Sequence, residues 1–174
     1  MMDITEEIFK NIEKSEPHLA LFIEFYSTLN LQPSVAVEVT CDQINRSHRS
    51  LRIPGFNMRT IPLELLNKLP LVSSYPTFFN IFTSVEEPDL WELNTRNKID
   101  FFESILEEFK PATGGNIRLK SFSQHFLRLS FMRISQQSKN KQEAEDCFAK
   151  TVGIDDKKEL SSFLSSKGIL EYTQ

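Results

Sequence analysis

The chain has little glycine, little cysteine and no long apolar run. Five glycines in 174 residues argue against a turn-rich all-β design, and the P-loop, dinucleotide-binding and nucleophile-elbow glycine patterns are all missing. Cys41 and Cys147 stand far apart, with no CxxC and no Cys/His spacing, so neither a zinc site nor a disulfide framework can be argued and a reduced, intracellular protein is expected. No apolar stretch approaches the roughly 18 residues that span a bilayer. The first residues, Met1-Met2-Asp3-Ile4-Thr5-Glu6-Glu7, are acidic where a signal or transit peptide would be basic. A soluble protein without membrane association is expected, and cytosol, nucleus or a host cell reached by a route with no cleaved signal all fit. The three histidines, His18, His48 and His125, have no Asp or Cys at catalytic or ligand spacing, so no enzyme, cofactor or metal is expected.

Apolar residues make up 40% of the chain, fifteen of them Phe, against a net charge of −4. That is enough for a real core. Phe at spacings of three and four points to aromatic packing between helices, and leaves open an apolar face covered by a partner or a second copy. Ile4, Ile8 and Ile12 share one helix face behind an Asp3/Glu6 capping box. Pro17 opens a second helix so apolar, from Leu19 to Leu29, that it should be central. The Val35–Val39 stretch fits a short strand and a helix equally. Residues 45–62, polar and basic with a Pro54-Gly55 turn signal, read as a long exposed connection, after which Thr60 caps a short helix. Ser74 with Pro76, and Pro88 with Asp89, open further helical stretches, the latter broken near Asn94. Gly114-Gly115 marks a hinge. Beyond it Phe122, Phe126, Leu129 and Arg133 share a helix face. The fold is therefore read as mainly α, with residues 1–110 and 117–174 as helical parts of one compact unit joined by a loop or hinge at 111–116.

Charge is zoned. Residues 46–70 hold five bases against Glu64 alone, and 111–141 hold six bases and no acid, while 1–45, 71–110 and 142–174 are acidic. If the fold joins the two basic windows, they form a patch for an acidic partner or a phosphate backbone; otherwise they dock on the acidic windows. Arg46, Arg49, Arg52 and Arg59 are the candidate binding residues of the first window, and Arg118, Lys120, Arg128 and Arg133 of the second. Trp91 is the candidate aromatic anchor.

Asn140-Lys141-Gln142-Glu143 is a capping box, and Ala149-Lys150-Thr151-Val152-Gly153-Ile154 turns tightly into a last helix capped by Asp155 or Asp156. With Leu160, Phe163 and Gly168-Ile169-Leu170 following, residues 140–172 resemble the core of a winged-helix domain. Such a resemblance implies either DNA reading or protein docking. Asp155, Asp156 and Glu159 sit where a recognition helix would approach phosphates, which favours docking. The expected function is a non-enzymatic adaptor or scaffold that binds an acidic or phosphorylated partner segment. The alternative is a nucleic-acid binder using the two basic windows and the C-terminal helix-turn-helix.

Overall fold

Ile8, Phe9 and Ile12 bury one side of helix α1 (Ile4–Ser15), which leaves Glu7, Lys10 and Lys14 to solvent. The computed structural model describes residues 4–69, 94–111 and 116–169. Asp3, the helices expected from Ser74 and Pro88, Trp91 and Gly114-Gly115 lie outside these residues. Helix α2 (Pro17–Thr28) starts with proline at its first turn, and nine of its twelve residues are buried. A helix that is apolar all round has no solvent face to offer, so it becomes the axis of the core. Helix α1, the helices at Pro33–Ala36, Leu63–Lys68 and Ser123–Gln137, and a 3-10 turn at Leu119–Phe122 pack around it.

The structure resolves Val35–Val39 against a strand. Pro33 sets the backbone of a first helical turn, Val35 and Ala36 both donate to the Gln32 carbonyl at 3.0 Å, and a four-residue helix α3 (Pro33–Ala36) results. Adjacent Ala36 and Val37 are both fully buried, which a helical turn permits and a one-faced strand does not. The strands lie instead in the stretch read as an exposed connection. β1 (Ile44–Asn45), β2 (Ser50–Leu51) and β3 (Arg59–Thr60) form an antiparallel sheet in that order, pairing Ile44 with Leu51, Asn45 with Ser50, Ser50 with Thr60 and Leu51 with Arg59. Two turns hold it. Asn45 Oδ1 accepts from the His48 amide at 3.1 Å, and Gly55 (φ +84°) completes a Pro54-Gly55 turn closed by Phe56 N–H donating to Ile53 O at 3.0 Å. Thr60 thus belongs to a strand, and the short helix α4 (Leu63–Lys68) starts behind Pro62.

Helix α5 (Thr95–Glu107) is capped by Asn94, whose side chain accepts from the Asn97 amide. It lays Phe102 flat on Phe22, with centroids 4.3 Å apart and planes at 16°. Helix α6 (Ser123–Gln137) leads to α7 (Lys141–Val152) and α8 (Lys157–Ser166). Asn140 and Asp156 cap the last two, and Gly153 at φ +74° makes the turn between them. Glu143 completes its half of the capping arrangement on the Lys139 amide, one residue earlier than the box predicts.

Apart from Ala144, the buried apolar residues described form two clusters. The larger surrounds α2 and ends at Phe126; the smaller comprises Leu127, Phe131, Phe148, Val152, Ile154, Leu160, Leu164 and Ile169. Helix α6 contributes to both. Across the larger cluster the buried Tyr26 hydroxyl donates to the Leu119 carbonyl, 93 residues away. Burial, with Glu103 nearby, pushes the Tyr26 phenol well above its usual pKa. The folded state therefore favours the protonated phenol, so this contribution is complete below about pH 10 and is lost as pH rises further. Tyr26 ionisation is expected to coincide with alkaline unfolding. Tyrosinate absorbance and circular dichroism followed together in the wild type and Tyr26→Phe check this; ionisation of Tyr26 in a still-folded chain would refute it.

Candidate functional site

Positions 126, 129, 130, 133, 134 and 137 follow the three-and-four spacing of one helix face, and on α6 they form the long wall of a groove of about 570 Å³. The opposite wall is Thr60, Ile61 and the start of α4 at Leu63 and Glu64; α2 supplies Glu24 and Thr28, and α7 supplies Glu143, Cys147 and Lys150. The volume falls in the range of roughly 300–1,000 Å³ typical of ligand sites. Its lining is mixed: Ile61, Leu65 and Phe126 are buried in the core beneath it, Leu129 and Ile134 are half-buried, Leu63 stands more than half exposed at the lip, and most of the other lining residues are polar.

The charges around this groove are unequally matched. The Glu24 carboxylate, nearly buried, accepts from Lys68 Nζ at 2.8 and 3.1 Å, tying α4 to α2. Glu143 is engaged by the Lys139 amide. Arg133 reaches Glu64 at 3.6 Å, but both side chains are about half exposed (47% and 57%), and such pairs contribute at most about 1 kcal/mol. Arg49 and Lys150 are exposed and have no ion pair among the described residues. Three acids, Glu24, Glu64 and Glu143, and three bases, Arg49, Arg133 and Lys150, thus line a groove of mixed polarity, in which Arg49 and Lys150 are exposed cations without an ion pair among the described residues.

The sequence candidates divide into three groups. Arg49 and Arg133, one from each basic window, meet at the groove. Arg46 and Arg59 work within the fold. Arg46 donates to the Leu66 and Leu69 carbonyls at 3.3 and 2.9 Å, closing the C-terminal end of α4. Arg59, 7% exposed, donates to Leu29 O at 2.9 Å, Asn30 O at 3.3 Å and Asn57 O, and so neutralises the end of α2. Burial lowers its pKa from the ordinary arginine value. The remaining candidates stand elsewhere: Arg52 beside the Pro54-Gly55 turn, Arg118 and Lys120 at the 3-10 turn, and Arg128 against Gly168. Trp91 lies outside the described residues. Lys150, Glu64, Leu63 and Thr60 were not candidates. The shared face of Phe126, Leu129 and Arg133 was the one sequence signal for this wall, and nothing local in the sequence says that α4 and α7 come to face it.

Arg49 occupies the left-handed region at φ +51°, closing the hairpin turn between β1 and β2. A non-glycine residue there is strained by roughly 1–2 kcal/mol, while glycine loses about 0.5–1 kcal/mol through the unfolded chain. Arg49→Gly is therefore expected to raise stability by about 0.5–1 kcal/mol in denaturant unfolding while removing a rim cation; a loss of stability would show that the side chain has a packing role. Compared with known protein families, curated proteins and solved structures, the chain matches none.

Proposed function

We propose that the chain is a non-enzymatic protein-interaction module, an adaptor or scaffold subunit, whose groove between α4, α6 and α7 takes an acidic or phosphorylated segment of a partner protein. The observation that carries this reading is the groove rimmed by Arg49, Arg133 and Lys150, with Arg49 and Lys150 unpaired among the described residues and Leu63 exposed at its lip. Apolar burial would set the lifetime of such a complex, and the rim charges its rate and register. A nucleic-acid reading needs a continuous basic track. Arg46 and Arg59 are taken up inside the fold, and the exposed cations of the second window divide between the groove and other faces, which supports the protein reading. The α7–α8 hairpin, with acids at the start of α8, is taken as a docking or structural element by the same reasoning.

Cys147 lies in the groove and is exposed, whereas Cys41 is half-buried at a distance from it. Bound partner is therefore expected to slow alkylation of Cys147 by iodoacetamide and to leave Cys41 unaffected. Arg49→Glu with Lys150→Glu is expected to weaken capture of partner by at least about tenfold, two rim contacts of roughly 1 kcal/mol each being reversed. Capture should persist after nuclease treatment and weaken only modestly with salt. Unchanged affinity in the double variant, with melting temperature preserved, would overturn the groove reading; loss of all capture on nuclease treatment would favour nucleic acid.

A further inference from the structure

Five serines of the chain have two Lys or Arg within three positions: Ser47, Ser50, Ser121, Ser130 and Ser138. A kinase that selects basic surroundings has to meet its serine in solvent, with the flanking residues extended. The fold satisfies that condition at one of the five. Ser50, Ser130 and Ser138 are buried. Ser121 is exposed, but it lies in the 3-10 turn between Leu119 and Phe122, both buried in the larger cluster, and an extended backbone there would pull them out. Ser47 is exposed in the turn between β1 and β2, with Asn45, His48 and Arg49 exposed beside it. That turn opens at small cost. It is closed by the His48 amide on Asn45 Oδ1 at 3.1 Å and by Arg49 N–H on Arg46 O at 3.3 Å, and β1, at the end of the sheet, pairs with β2 over two residues. No acid stands in the sequence between Asp42 and Glu64 to repel a phosphate.

We infer that Ser47 is a phosphorylation site for a serine kinase that reads basic residues, and that phosphate there switches the groove off. In the transfer Ser47 Oγ attacks the γ-phosphorus of ATP and the bond from that phosphorus to the bridging oxygen breaks. ADP leaves, and the hydroxyl proton passes to the kinase. The product brings roughly two negative charges and strong acceptor oxygens into the turn. Arg46 is held by the Leu66 and Leu69 carbonyls, so the side chains that meet the phosphate are those of His48 and Arg49. Arg49 lines the groove and Ser47 does not, so the modification acts on a rim cation from outside the trough. A guanidinium paired with a phosphate two residues away in its own turn makes its charged hydrogen bonds within the chain and no longer serves an acidic segment. The switch rests on the groove reading above. The site itself rests on the exposure of Ser47 and its flanking bases.

The test treats the full chain, native by circular dichroism, with ATP and a panel of purified basic-directed serine kinases, beside a synthetic peptide of residues 42–54. Tandem mass spectrometry locates the phosphate. The expected result is modification of Ser47 in both, with none in the Ser47→Ala chain at that turn. The probe for the groove is a fluorescent peptide selected on the unmodified chain from a randomised library and lost on Arg49→Glu/Lys150→Glu. Phosphorylation of Ser47 is expected to weaken its binding about tenfold. Phosphate on the peptide 42–54 but not on the folded chain, or on neither, would overturn the site. Phosphate at Ser47 with probe binding unchanged would overturn the switch and leave the groove reading standing. Selection of no peptide that the charge-reversed variant rejects would overturn the groove reading and the switch with it.

Discussion

Arg59→Met is expected to destabilise the fold by about 3 kcal/mol in equilibrium denaturant unfolding, with the slope of the transition unchanged. Methionine fills much of the same space, so the loss is electrostatic. The carbonyls of Leu29, Asn30 and Asn57 lose a charged donor in a setting where Arg59 is 7% exposed. Charged hydrogen bonds contribute about 1.5–3 kcal/mol each; the desolvation of the guanidinium, visible in its lowered pKa, offsets part of that. The same guanidinium lies against Gly153, where a Cβ would overlap it and where φ is +74°. Gly153→Ala is therefore expected to lose stability from two sources, backbone strain of roughly 1–2 kcal/mol and the displaced arginine. In the Arg59→Met background only the first should persist. A double-mutant cycle measures the difference, and strict additivity would show that the contact between Arg59 and Gly153 carries no energy.

Phe148→Ala is expected to have the larger effect, about 3–5 kcal/mol, the range for removing a buried Phe. Phe148 is fully buried, meets Phe131 edge-on at 5.2 Å and Phe163 at 6.3 Å, and belongs to a cluster of eight buried residues. In so small a core one aromatic ring is a large share of the cohesion. Hydrogen exchange should therefore show amides of α7 and α8 opening together while α2, in the larger cluster, stays protected. Two side-chain bonds oppose that separation: Asn30 Nδ2 to Val152 O at 3.3 Å and Asn57 Nδ2 to Gly153 O at 2.8 Å. If α2 and α7 lost protection to the same extent, the two clusters would be one cooperative unit.

The helices were legible where the signal is local. Apolar spacing outlined α1, α2 and α6, the caps at Asn140 and Asp156 and the left-handed Gly153 stand at or beside the positions their side chains announce, and the break read near Asn94 is the start of α5, capped by Asn94 itself. The sheet was not legible for an equally physical reason. Each strand is two residues long, too short to show alternation, and each is held by partners across turns and by burial that the residue types do not advertise. Ser50 and Arg59 are buried polar residues in a stretch whose composition reads as exposed. The Val35–Val39 alternation left strand and helix equal because its apolar residues serve both a helical turn and the chain that follows it. The charge windows were visible, but their use was not: whether an arginine closes a helix end, as Arg46 and Arg59 do, or faces a groove, as Arg49 and Arg133 do, depends on which carbonyls the tertiary fold places within reach. The groove itself joins parts of the chain from Glu24 to Thr151.

Helix α6 carries Phe126 in the larger cluster and Leu127, the next residue, in the smaller. Successive residues on a helix point about 100° apart, so the angle between the two halves of the molecule is written into a single peptide step. An extra residue within α6 would swing everything beyond it by that angle and move it along the axis by about 1.5 Å. Arg133 and Ile134 would then leave the wall that Phe126 and Leu129 begin. Along α6 the count of residues is itself a specification, and it works as a dial whose setting keeps α7 opposite α4.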